Sequence, residues 1–140
     1  MKTFRISTIL LVTLVLLFVN VATVLAVPPL PSSFYGTVKA NGANVPGCIQ
    51  VSARINGVQY ALSHFLLYGD DTVYSLDVPG DDPETTGIIE GGVPGNTVDF
   101  YIGNVKADQT APWQSGMNIN LNLSVSSPVQ CNIFLPMIKR

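Results

Sequence analysis

Strict alternation of apolar and polar residues, cut into short pieces by Asn-Gly and Pro-Gly dipeptides, is the feature that most limits how this chain can fold. Ile49, Val51, Ala53 and Ile55 alternate with Gln50, Ser52 and Arg54. A period of two puts one set on each face of an extended strand, so the first set faces a core and the second faces water. Asn56-Gly57 follows at once. Both residue types accept positive φ, which makes the pair a hairpin signal, with Val58-Gln-Tyr60 opening the return strand.

The pattern recurs along the chain. Phe34, Gly36, Val38 and Ala40 share one parity, and Asn41-Gly42 and Val45-Pro-Gly47 break the segment that follows. Tyr74, Leu76 and Val78 alternate with Val73, Ser75 and Asp77 as far as Pro79-Gly80. Gly91-Gly92 and Pro94-Gly95-Asn96 bracket an open loop. Val98, Phe100 and Ile102 form another apolar face, which Gly103-Asn104 turns into Val105 to Thr110. Asn118 to Val125 alternates without a fault, placing Leu121 and Leu123 inward and Asn118, Asn120 and Asn122 outward. About seven short strands with turns at this spacing predict an all-β domain, a β-sandwich with an open barrel as the alternative.

The start of the chain sets the compartment. Lys2 and Arg5 precede a run from Ile9 to Val24 that is apolar apart from Thr13, Asn20 and Thr23, and Val24-Leu-Ala26 presents small residues for cleavage. Residues 1–26 therefore read as a signal peptide, with the mature chain starting at Val27. The alternative is an uncleaved anchor, since Ile6 to Ala26 just reaches the roughly 20 residues that span a bilayer. The domain lies outside the membrane in both cases, and only the second gives it a membrane association. Residues 27–33 form a Pro-rich lead-in, 34–126 the domain, and 127–140 a hydrophobic tail. Beyond residue 26 five Lys and Arg face nine Asp and Glu, a net charge of −4. That balance argues against nucleic acid and anionic lipid as partners.

Ser33-Phe-Tyr-Gly-Thr-Val38, Ala53-Arg-Ile-Asn-Gly-Val58, Val73-Tyr-Ser-Leu-Asp-Val-Pro-Gly-Asp-Asp82 and Phe100-Tyr-Ile-Gly-Asn-Val-Lys-Ala107 occur in that order, followed by Trp113-Gln-Ser-Gly116 and the alternating strand. Together they resemble a small extracytoplasmic β-sandwich module of archaeal and bacterial surface or secreted proteins, similar to the prealbumin-like, carboxypeptidase-regulatory-like domains. The resemblance implies an Ig-like or prealbumin-like sandwich of about seven short strands after the signal peptide. It implies an accessory or structural role at the cell surface or in the medium, with no catalytic residues to carry over. Ser63 to Gly69 falls outside the match.

Several residues could carry chemistry. Cys48 and Cys131 are the only cysteines, and an oxidising compartment favours their pairing. Asp70, Asp71, Asp77, Asp81, Asp82 and Glu84 crowd one stretch. Asp77, Asp81, Asp82 and Glu84 are the calcium candidates among them, set against solvated turns because no D-x-[DN]-x-[DN]-G loop is present. His64 is the only histidine and adjoins Ser63, but no nucleophile elbow surrounds them. Tyr35, Tyr101 and Trp113 could stack on sugar faces, with Asn118, Asn120 and Asn122 supplying hydrogen bonds; alternatively Trp113 caps one end of the sandwich. The tail residues Phe134, Leu135, Met137 and Ile138 would pack as an edge strand or form an exposed patch. The expectation is a non-enzymatic exported module with no cofactor, contacting a protein or polysaccharide at the cell surface. The alternative is a carbohydrate- or calcium-binding module.

Overall fold

A computed structural model describes residues 27–64 and 66–131, with His64 described by its backbone only. The signal segment and the tail beyond Cys131 lie outside the described residues. Among the described residues there are ten strands and no helix: β1 (Ser32–Ala40), β2 (Ala43–Asn44), β3 (Gln50–Ile55), β4 (Val58–His64), β5 (Leu66–Tyr68), β6 (Asp71–Val78), β7 (Thr97–Ile102), β8 (Val105–Pro112), β9 (Asn118–Asn120) and β10 (Leu123–Val125). No helix there is long and apolar enough to cross a membrane.

The strands form two sheets. One runs β10-β1-β6-β5, with β2 and β9 also paired to β1, and the other runs β4-β3-β7-β8. Neighbours are antiparallel except that β1 lies parallel to β9 and β10. Asn56-Gly57 makes the expected hairpin, with φ of 51° and 83°. Two positive φ values in succession give a turn whose twist matches that of the flanking strands.

One core fills the space between the sheets. Phe34 and Val38 of β1, Tyr74, Leu76 and Val78 of β6, Val51 of β3 and Val98, Phe100 and Ile102 of β7 are all buried. The Phe34 and Phe100 rings meet edge to face at 5.1 Å, joining the two inner faces. Every one of these residues holds the parity that the alternation assigned to it. The two-sheet arrangement is that of a β-sandwich.

Ten strands stand among the described residues where the spacing predicted about seven, and four further details depart from the sequence reading. Asn118 to Val125 is not one strand: it breaks at Leu121-Asn122, where β1 passes Gly36. A Cβ at Gly36 would run into the Leu121 carbonyl and the Asn122 side chain. Across the break Asn122 Oδ1 accepts the Thr37 amide at 2.9 Å, and the Leu121 carbonyl accepts the Tyr74 hydroxyl at 2.8 Å. Side chains thus replace the missing ladder bonds, and Leu121 is only half-buried while Leu123 is 1 % exposed. Ser52, assigned to the wet face, is 4 % exposed. The Gly91-Gly92 loop is closed, since Gly92 donates to Pro79 O at 2.9 Å and accepts from Asp81 at 3.0 Å. Finally, β4 and β5 belong to different sheets, so the chain changes sheet within the stretch that the module resemblance left out.

Candidate functional site

The three aromatic candidates do not form one site. Trp113 is 0 % exposed and donates Nε1–H to Val78 O at 3.0 Å. A Cβ on Gly92 would overlap the indole, so the two glycines of this loop are what let the backbone close over the ring. Trp113 is therefore an end plug of the core and offers no face to a sugar. Tyr101 lies on β7 in the four-stranded sheet, under the Arg54 guanidinium at 4.2 Å from the ring centroid. Tyr35 lies on β1 in the other sheet and is 41 % exposed.

Tyr35 does acquire company. Register pairs it with Asn120 of β9 on one side and Ser75 of β6 on the other. With Thr37, Tyr68, Val73 and Asn122 it lines a groove of about 380 Å³ on the outer face of the six-stranded sheet. Tyr68, on the short edge strand β5, is 80 % exposed. Asn122 commits Oδ1 to the Thr37 amide, leaving its NH₂ as a donor. Among the described residues the groove thus has the two exposed phenol rings of Tyr35 and Tyr68, side-chain amides and no charged side chain. Tyr74 forms its floor with the hydroxyl turned to the Leu121 carbonyl, and burial raises its pKa above the usual phenol range. Sequence parity exposed Tyr35 and Asn120, but Tyr68 was invisible because its segment carries no alternation and reaches the groove only through the change of sheet.

The calcium candidates do not converge. Asp77 accepts the Ser33 hydroxyl at 2.5 Å on the outer face of β6. Asp81 accepts the Glu90 amide at 2.8 Å, and Asp82 accepts the Glu84 amide at 3.0 Å. Asp77 thus ties β6 to β1, while Asp81 and Asp82 satisfy loop amides and hold their turns in place. Among the described residues no three His, Cys, Asp or Glu side chains group as a metal site. Asp71, also in the acidic stretch, pairs with Lys39 at 2.7 Å.

Cys48 and Cys131 form a disulfide, with Cα atoms 5.9 Å apart and a sequence separation of 83. It fastens the chain after β10 to the start of β3. Ser63, the only serine beside the single histidine, is buried. No protein family, no curated protein and no solved structure matches this chain. The fold and the disulfide define its class: an all-β, two-sheet domain with a covalent clip.

Proposed function

We propose that this chain is an exported, non-enzymatic accessory module of the prealbumin-like kind that holds a neutral polysaccharide at the cell surface or in the medium. The groove under Tyr35 carries the reading. A sugar ring presents an apolar C–H face and a rim of hydroxyls, and it is recognised by flat aromatic surface next to amide donors and acceptors. Tyr35 and Tyr68 supply the first, and Asn120 and Asn122 the second. A groove lined by no charged side chain among the described residues suits an uncharged ligand.

Export agrees with the disulfide, a bond that persists outside the reducing cytosol. It also agrees with the leader-like residues 1–26. Retention of the mature protein on cellulose, xylan and chitin tests the reading. Tyr35→Ala and Tyr68→Ala should each release it from whichever polymer retains it, with unchanged thermal midpoints. No retention by any neutral polymer, or retention indifferent to both variants, refutes it.

A further inference from the structure

A second cleft lies on the opposite sheet, against the disulfide. It has a volume of about 350 Å³, and its walls include Gln50, Ser52, Arg54, Gln59, Asn104 and Gln130. Arg54 is the only charged residue among the described residues lining it. We infer that this cleft binds the carboxylate of an acidic saccharide, with the Arg54 guanidinium as the anion-holding group.

The charge inventory leads to this site. Lys39, Arg54 and Lys106 are the Lys and Arg residues among those described. Lys39 is paired with Asp71 at 2.7 Å and Lys106 with Asp99 at 3.0 Å. Asp99 is also the cross-strand partner of Arg54, yet its carboxylate goes to Lys106. Arg54 keeps no ion pair and no side-chain hydrogen bond among the described residues, and its Nε–H is buried without an acceptor. In a domain rich in carboxylates, an arginine left without one has unspent donors.

The backbone holds it that way. The β3–β4 register shifts at Ala53/Arg54, and the β7–β8 register shifts at Asp99/Tyr101. Such irregularities re-aim a side chain relative to its strand. Here they fall beside both members of the Arg54–Tyr101 stack. The ring supports the guanidinium plane without using its hydrogen-bond donors. Because Nε is covered, an incoming carboxylate meets the two terminal Nη groups end-on, a bidentate geometry.

The rest of the wall selects the kind of molecule. It is amide and hydroxyl from Gln50, Gln59, Asn104, Gln130 and Ser52, matched to a ligand polar on all sides, as a uronic acid residue is. The volume is at the small end of ligand sites, room for one or two sugar rings. Cys48 and Cys131 form part of the wall, so the disulfide holds Gln130 against the cleft.

Calorimetric titration of the mature disulfide-bonded protein with trigalacturonate tests the inference, alongside its methyl ester and a small polar peptide with a free C-terminal carboxylate. Trigalacturonate should bind, and more weakly as salt is raised. The methyl ester, and the Arg54→Gln variant against trigalacturonate, should each bind at least about tenfold more weakly, the effect of losing a charge-assisted contact. Arg54→Lys keeps the charge and loses the fork, so it should fall between. Tyr35→Ala should bind trigalacturonate like the wild type, which separates this site from the neutral-polysaccharide groove. Equal binding of acid and ester overturns the inference, as does trigalacturonate binding unchanged in both Arg54 variants, or no binding at millimolar ligand. Tighter Arg54-dependent binding of the peptide overturns the saccharide assignment.

Discussion

Trp113 is the largest fully buried side chain of the domain and the only tryptophan of the chain, so replacing it tests the core and removes the natural probe of it. In Trp113→Phe the indole N–H that meets the Val78 carbonyl at 3.0 Å disappears. A buried acceptor without a donor costs about 1–3 kcal/mol. The smaller ring also leaves part of the space between Gly80 and Gly92 empty, and complete removal of a buried tryptophan costs about 3–5 kcal/mol. A loss of about 2–4 kcal/mol is therefore expected, a fall of roughly 8–16 °C in thermal midpoint for a domain of this size. Gly92→Ala attacks the same contact from the other side. Its new methyl would sit inside the indole, and such overpacking costs about 1–3 kcal/mol. Circular dichroism melts serve Trp113→Phe, and intrinsic fluorescence in urea serves the wild type and Gly92→Ala. Native emission should be blue-shifted, resist acrylamide, and move red in one step on unfolding. A Trp113→Phe midpoint within about 2 °C of wild type, or native emission open to the quencher, would refute the plug.

The remaining expectations concern the broken last strand, the clip and alkaline pH. Leu123→Ala should cost about 2–5 kcal/mol, Leu121→Ala less, and Asn120→Ala within about ±0.5 kcal/mol, all measured by urea melts; an unbroken strand would make the two leucines equal. Alkylation before reduction should label neither Cys48 nor Cys131, and reduction should lower the midpoint by several degrees, since the crosslink contributes about 2–4 kcal/mol by restricting the unfolded chain. Tyr74 is held protonated by burial, with a pKa raised from 10.0. Above that value the unfolded chain loses the proton while the folded one keeps it, so stability should fall as pH rises past about 10. Tyr74→Phe should flatten that fall in melts between about pH 8 and 11, and an unchanged slope would locate the effect elsewhere.

Alternation made most of the two faces legible. Phe34, Val38, Val51, Val98, Phe100 and Ile102 could be assigned to the core from parity, because a period of two is a local property of an extended chain. Asn56-Gly57 was legible for the same reason: its positive φ values follow from the residue types. Departures begin where a distant segment decides. Ser52 has the parity of a wet face, but its burial depends on what covers the outside of the four-stranded sheet. Asn118 to Val125 is faultless as a pattern, and it breaks because Gly36, some 85 positions away, lets the chains approach too closely for a regular ladder.

The sequence by itself determined the strand periodicity, the hairpin turns, the net negative charge and the identity of the two cysteines that pair. All of these depend on residue type and near neighbours. Only the tertiary structure decided that Trp113 is a plug and not a platform, that Tyr68 joins Tyr35 across a change of sheet, and that Asp99 chooses Lys106 and leaves Arg54 without an ion pair among the described residues. Those outcomes depend on which strands become neighbours. Sheet order and register bring together residues dozens of positions apart, and nothing in a two-residue period records that choice.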